Sequence, residues 1–453
     1  MTAMPATGLT HDDRLARAAR PDAEALRLHA LCRGKMQTLP KCPIRGFDDF
    51  AVWYSPGVAA PCRAIVADPE AAWRYTSKAN TIAIVTDGTR VLGLGDIGPV
   101  AGLPVMEGKA LLFKYLGGVD AVPICLATRD ADEIVRTATL LEPAFGAINL
   151  EDIAQPKCFR VLDALRVRLS IPVWHDDQQG TATALLAGLL NAAAVVGKDP
   201  RRMRIAMVGM GAANVACYRL LTGNGIDPAA IVACDSRGTL HRGRHDVERR
   251  CDEFRDKWRV CLESNADAVT GGIGDALRGA DACVAFSGPG IIEPGWVRGM
   301  ARDAIVFACA NPVPEIWPWQ ATEAGARVVA TGRGDFPNQL NNSLVFPGLF
   351  RGVLDVRARA ISDEMAAAVA RALAAFAEER GLREDYILPR LDDWEMHVRV
   401  AVAAATEAQA RGLARVARTA AGLEADARHT MQNARDSVAA LARAGLIPDP
   451  GAR

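Results

Sequence analysis

The sequence carries no net formal charge: 53 lysines and arginines balance 53 aspartates and glutamates. Such a chain has no field to draw it onto nucleic acid or an anionic membrane, and neither is expected as a partner. It also lacks an apolar run long enough to cross a bilayer, which takes about 20 residues. The first twenty residues lack the apolar segment of a secretory leader, and Asp12 and Asp13 argue against a mitochondrial presequence. A cytoplasmic protein is expected. Of the eleven cysteines, none forms a CxxC pair and none stands near a histidine at zinc-ligand spacing. Their odd number, and the placing of Cys234 and Cys309 inside apolar runs, predict reduced, buried thiols. There is no repeat of solenoid length.

Half of the 453 residues are hydrophobic, enough for sizeable cores in two or three domains. The alternation of short apolar runs with helical patterns predicts an α/β chain. An N-terminal α/β domain is expected over 1–178, a doubly wound, Rossmann-like domain over 179–345, and a helical segment over 346–453. In the first, 21–36 reads as an amphipathic helix and Tyr54-Ser55-Pro56-Gly57 as a turn. The β-rich run 81–86, closed by Asp87-Gly88 and followed by 91–94, suggests a hairpin. A helix starting near Pro104 carries Lys109. Strands at 121–126, 147–150 and 172–174 alternate with helices at 132–141 and 158–169. Two of those strands end on acidic pairs, Glu151-Asp152 and Asp176-Asp177, at the strand ends where α/β folds bind ligands. An Ala/Leu-rich helix over 180–196 reads as a buried connector. Five strands follow at 204–208, 231–235, 282–286, 304–308 and 327–330, and amphipathic helices at 361–380 and 397–445.

The strand 204–208 runs into Gly209-Met210-Gly211-Ala212-Ala213-Asn214. Gly209 permits the tight turn, Gly211 lets backbone approach a pyrophosphate, and the helix beginning near Ala213 aims its free N–H groups at the phosphates. The third glycine of the fingerprint is replaced by Asn214, whose side chain could reach toward a phosphate. A second strand ends in Asp235 at the usual distance. Asp235 could accept both adenine-ribose hydroxyls, favouring NAD; Arg237 could neutralise a 2′-phosphate, favouring NADP. The acid tilts the reading toward NAD.

A hard cation such as Mg²⁺ or Mn²⁺ takes oxygen ligands and keeps positions open for substrate. Glu151, Asp152 and Asp177 meet that need. A lone acidic pair at a strand end is usually a helix cap; two, both upstream of a nucleotide turn, point to a metal. Spacing alone singles out none of Tyr54, Arg90, Lys109 or His175.

Several stretches together give the chain a family likeness over roughly residues 40 to 400. They are 53–59 (WYSPGVA), 87–95 (DGTRVLGLG), 104–109 (PVMEGK), 148–153 (INLEDI), 175–182 (HDDQQGTA), 311–315 (NPVPE) and 331–348 with its Asn341-Asn342. The chain resembles the malic enzymes, in particular a prokaryotic branch. The resemblance implies oxidative decarboxylation of (S)-malate to pyruvate and CO₂ with NAD(P)⁺ and Mg²⁺ or Mn²⁺. It implies Tyr54 as general acid and Lys109 as general base, its pKa lowered by neighbours. Glu151, Asp152 and Asp177 become metal ligands and Asp176 the acid that tunes the site. Arg90, Asn311 and Asn342 would touch substrate. Gly209, Gly211, Ala212, Ala213, Asn214, Asp235, Arg237, Ser287 and Asn311 would bind the dinucleotide. A homodimer is implied, with a site that can draw residues from both chains. Gln179, where many members have histidine, departs from the commonest pattern. The competing readings are a malolactic-type reaction or another 2-hydroxy-diacid dehydrogenase, and a non-catalytic nucleotide sensor on the same fold.

Overall fold

Two mostly parallel sheets organise the chain in the computed structural model, which describes residues 10–449 and 451. Residues 1–9 of the N-terminal stretch read as no leader lie outside the described residues. The first sheet holds β1 (Thr81–Thr86), β2 (Asp120–Cys125), β3 (Ala147–Leu150) and β4 (Val173–His175) in the order β2-β1-β3-β4, all parallel. Each crossover passes through a helix: Gly98–Gly117, Ala131–Leu141 and Lys157–Arg168. Helices on both faces explain why β1 and β3 read as continuous apolar runs and not as alternation.

The hairpin expected after Asp87-Gly88 does not form. β1 is an inner strand, and β2 and β3 occupy both of its edges. No edge remains for an antiparallel partner, and Val91 makes only a local bridge to Gly95. Asp87 instead holds a loop: its Oδ1 accepts the Thr89 amide at 3.1 Å and hydroxyl at 2.7 Å, and Lys157 pairs with its other oxygen.

The second sheet runs β10-β9-β8-β5-β6-β7. Its members are β5 (Ile205–Val208), β6 (Ile231–Asp235), β7 (Gly238–Thr239), β8 (Ala282–Ala285), β9 (Ile305–Ala308) and β10 (Val328–Thr331). All pair in parallel except the two-residue β7, which the sequence reading had not separated from its loop. Strand order reverses at β5, so the crevice beyond β5 and β8 is the ligand position of a doubly wound sheet. The connector helix Thr181–Val195, buried along most of its length, joins the two sheets.

Two helix starts differ from expectation. The N-terminal helix runs His11–Cys32, ten residues earlier than read, with Pro21 inside it. Its start is a reciprocal cap between Thr10 and Asp13, a signal present in the sequence that the proline obscured. The lysine helix begins at Gly98, with Pro99 in its first turn and Pro104 inside. At the other end, the stretch 397–445 is two helices, Glu395–Ala410 and Ala420–Arg443, divided by a turn at Gly412. All eleven cysteines are free; Cys32 and Cys62 are exposed, contrary to the expectation of burial, and six are buried.

The helices after residue 345 pack back on the first domain. Phe113 of the lysine helix meets Phe346 at 4.4 Å and Phe350 at 5.1 Å between ring centroids, all three fully buried. Phe350→Ala should therefore cost about 3–5 kcal/mol of unfolding free energy, as aromatic truncation in a packed core does. Urea unfolding measures it, and a loss below about 1 kcal/mol would show that the site collapses freely.

Candidate active site

Strand β3 ends at Leu150 and is followed at once by Glu151 and Asp152, and β4 ends on His175. Beyond β4 the backbone makes a single π-turn, Asp176–Gly180, that runs straight into the connector helix. Such turns recur at functional sites because the wide turn redirects side chains. Here it lets Asp176 and Asp177 point apart. Gly180 is required: a Cβ there would lie 2.0 Å from Asp176 Oδ1 and 3.0 Å from the Asn342 Cβ. The Gln179 carbonyl side chain accepts the His175 amide at 3.1 Å and closes the turn. This gives the departure at Gln179 a local structural role.

Lys109 reaches into this acidic end from its helix. Its Nζ donates to Glu151 Oε1 at 2.6 Å and to Asp176 Oδ2 at 2.5 Å, and stands 4.6 Å from the Phe346 ring centre. Trp174 Nε1 donates to the other Asp176 oxygen at 2.9 Å, and Asn149 to Glu151 Oε2 at 2.9 Å. Burial by itself would push the lysine pKa down. Asp176, Glu151 and Asp177 outweigh it, so Lys109 is held protonated, above the ordinary lysine range. The expected lowering by neighbours is thus reversed, because those neighbours are carboxylates.

Glu151, Asp152 and Asp177 each bring a carboxylate oxygen to within 4.8 Å of the others. Burial raises all three, and repulsion from neighbouring carboxylates adds to it, from Asp176 in the case of Asp177; Asp152 is pushed up to about 8. One buried Asp152 oxygen has no hydrogen-bond partner. Three crowded oxygen donors, one orphaned, fit a hard divalent cation. Buried His175 is held neutral, with a pKa near 3, by desolvation and by the Lys109 charge. Its ring makes no hydrogen bond among the described residues, and its Nδ1 stands 3.6 Å from Asp177 Oδ2.

The other predicted residues divide by position. The Arg90 amide donates to the Asp152 carbonyl at 3.0 Å, so its exposed side chain starts beside the acids. Asn342 borders Gly180 and Asp176. Asn311 approaches from the second domain: its carbonyl would lie 2.4 Å from a Cβ on Gly93, so the two domains meet there. Tyr54 is not brought in. It follows the short helix Asp48–Trp53, is 72 % exposed, and its hydroxyl makes no hydrogen bond among the described residues.

At the nucleotide turn Gly209 has φ +85°, and a Cβ would collide with the Phe286 carbonyl at 2.7 Å. A Cβ on Gly211 would meet nothing, leaving open space in front of the helix Ala212–Gly223. That is the cradle a pyrophosphate needs. Asn214 does not reach out to it. Its amide donates inward to the carbonyls of Val208 at 3.0 Å and Gly209 at 2.6 Å, pinning the turn onto the sheet.

Family models for the malic enzyme N-terminal domain and the malic enzyme NAD-binding domain match residues 33–166 and 178–409. The chain belongs to the malic enzyme family. It is 47 % identical over 382 residues to an NAD-dependent malic enzyme of Geobacillus stearothermophilus, covering 84 % of this chain and 78 % of that protein. It is 47 % identical to a bifunctional malic/malolactic enzyme of Bacillus subtilis, over 87 % of this chain and 94 % of that one. An NADP-dependent malic enzyme of Escherichia coli is 41 % identical over 84 % of this chain, which spans 51 % of that protein. The crystal structure of the Entamoeba histolytica malic enzyme superposes with a TM-score of 0.95 at 44 % identity, covering 98 % of this chain and 93 % of that one.

Four residues of this malic enzyme escaped the sequence reading. Trp174 fixes Asp176. Glu315, fully buried, accepts the Ser287 amide at 2.6 Å and the Ala310 amide at 3.0 Å, tying together the loops after β8 and β9. Arg244 and Lys257 converge on Asp235. Only the position of Glu315 in the stretch 311–315 signalled anything; the others lack a motif.

Without metal, the raised acids bind protons in the folded protein that the unfolded chain releases above about pH 4. Stability should therefore fall as pH climbs toward 8, where Asp152 ionises. A cation needs ionised carboxylates. Mn²⁺ should accordingly raise the melting temperature more at pH 8 than at pH 6, and equal increments would count against a cation among these acids.

Proposed function

We propose that this chain carries out its family's reaction, oxidative decarboxylation of malate to pyruvate and CO₂ with reduction of NAD(P)⁺, at the Lys109 cluster. The observation that carries this is the lysine held between Glu151 and Asp176 beside three crowded carboxylates. Glu151, Asp152 and Asp177 would hold Mg²⁺ or Mn²⁺, which would polarise the C2 oxygen and stabilise the enolate left as CO₂ departs. Its positive charge beside the ammonium would also offset the carboxylates that keep Lys109 protonated, freeing the lysine to act as base.

Lys109 then takes the C2 hydroxyl proton as hydride leaves for the nicotinamide. Asp176, bridging Lys109 and Trp174, holds the ammonium in line. Arg90 binds a substrate carboxylate through charge-assisted hydrogen bonds, and Asn311 and Asn342 border the substrate from the second domain. The turn from Gly209 to Asn214, with Ser287 beside it, seats the dinucleotide.

Tyr54 is the general acid that would protonate C3 of the enolate, and it reaches the cluster from a second copy. Phe47 is 87 % exposed beside the exposed Phe50, Val52 and Trp53, an apolar surface of the kind a soluble chain covers with a partner. A homodimer sharing two sites follows. The malolactic reading has one specific support, the bifunctional name of the Bacillus subtilis relative. A non-catalytic sensor finds none, since every position named for chemistry holds a competent side chain.

Assay with malate, NAD⁺ or NADP⁺ and Mn²⁺ tests the reaction: pyruvate with reduced dinucleotide is expected, and lactate in its place would favour the malolactic reading. Lys109→Ala should lower kcat by about 10²–10⁴ while cofactor binding persists, and a smaller loss would refute the base. Co-expression of Lys109→Ala with Tyr54→Phe should restore about a quarter of wild-type activity, since half the dimers are hybrids with one intact site. No recovery would place both residues in one chain.

A further inference from the structure

Asp235 stands where a doubly wound dinucleotide domain places the acid that accepts the adenine-ribose hydroxyls. In this chain it has no acceptor position left. A carboxylate offers about four lone-pair sites. Oδ1 accepts from Arg244 at 3.0 Å and from the Arg237 amide at 2.9 Å; Oδ2 accepts from Arg244 at 3.0 Å and from Lys257 at 3.3 Å. A ribose diol would have to evict one of these donors and leave a partly buried charge unpaired, which is costly.

Arg244 is in turn fully engaged. Its Nε and Nη2 also bind Asp246, at 2.7 and 2.9 Å, and its Nη1 the carbonyls of Gly238 and Thr239. It is buried, so it acts as a pin between Asp235 and Asp246. The two remaining cations differ. Arg237 gives one N–H to Asp246 and is otherwise presented outward, its side chain 69 % exposed. Lys257 makes its one long bond to Asp235 and lines a cleft of about 430 Å³ with Phe159, Phe254, Arg160 and Arg255 and the acids Asp163, Asp252, Glu253 and Asp256. Three cations, Arg237, Arg244 and Lys257, face two acids, Asp235 and Asp246. The surplus positive charge is carried by the two cations with N–H groups to spare, the exposed Arg237 and the mostly buried Lys257 at the edge of the cleft.

We infer that this chain selects the 2′-phosphorylated dinucleotide, with Arg237 and Lys257 binding the 2′-phosphate and Asp235 serving to position the cations, not to bind ribose. The inference rests on the dinucleotide reading of the turn at Gly209 and reverses the preference for NAD that Asp235 suggested as sequence. A phosphate dianion supplies acceptors to donors that Asp235 and Asp246 leave available, whereas an unphosphorylated ribose meets a carboxylate already filled.

Binding of adenosine 2′,5′-bisphosphate and of 5′-ADP, measured by calorimetry without metal or malate, tests this apart from turnover. The wild-type protein should bind the 2′-phosphorylated probe at least about tenfold tighter, the worth of one charge-assisted hydrogen bond. Lys257→Ala and Arg237→Ala should each remove about tenfold of that affinity and change 5′-ADP binding far less, and Lys257→Arg should retain the preference. The ratio of kcat/KM for NADP⁺ over NAD⁺ should fall in parallel. Tighter or equal binding of 5′-ADP to wild type would overturn the preference alone. Equal losses of both probes in a variant with an unchanged melting temperature would do the same for the residues. Binding of neither probe would overturn the dinucleotide site itself.

Discussion

The site turns on one buried electrostatic balance: the Lys109 ammonium set among Glu151, Asp176 and Asp177. None of these charges could be buried alone, because desolvation without a partner costs several kcal/mol per ion. Together they fix one another. The lysine needs its helix to run from Gly98 through Pro104 and its far side to rest on Phe346, so the C-terminal helices belong to the catalytic geometry. Asp176 needs Trp174 on one oxygen and the glycine at 180 beneath it. Charge balance at one point therefore accounts for residues from 98 to 350.

The balance is incomplete as it stands. Lys109 offsets some of the acids, yet Asp152 retains an orphaned buried oxygen and an affinity for protons far above that of an ordinary aspartate. A divalent cation held there would complete the charge count, and the same cation would let the lysine give up its proton. Metal binding and base strength are in this sense one property of the cluster. Around Asp235 the sign is opposite: Arg237, Arg244 and Lys257 face Asp235 and Asp246, and the N–H groups left over belong to the exposed Arg237 and the mostly buried Lys257.

Much of the architecture was legible in the sequence. The strands of both sheets, the acids at the ends of β3 and β4 and the glycine turn were each marked by local pattern, since a buried parallel strand must be apolar and a phosphate turn must be small. The hairpin after Asp87 was misread because a turn dipeptide does not say which strand edges are already occupied. The start at Thr10 was missed because Pro21 looked like a boundary. Tyr54, Arg90 and Lys109 came from family resemblance; spacing gave no reason to choose them.

By itself, the sequence determined the family, the α/β class, the clustered acids after two strands and the glycine turn, because each is written in residues close together along the chain. Only the tertiary structure decided what those groups face. It turned Asn214 inward, raised Lys109 where neighbours had been expected to lower it, left Tyr54 at the surface, and filled Asp235 with Arg244 and Lys257. The physical reason is common to all four. Hydrogen-bond saturation and pKa depend on atoms within a few ångströms, and those neighbours come from parts of the chain far apart in sequence. The acids after β3 and β4 pointed to a metal; the lysine that reaches them from another helix was visible only once the chain was folded.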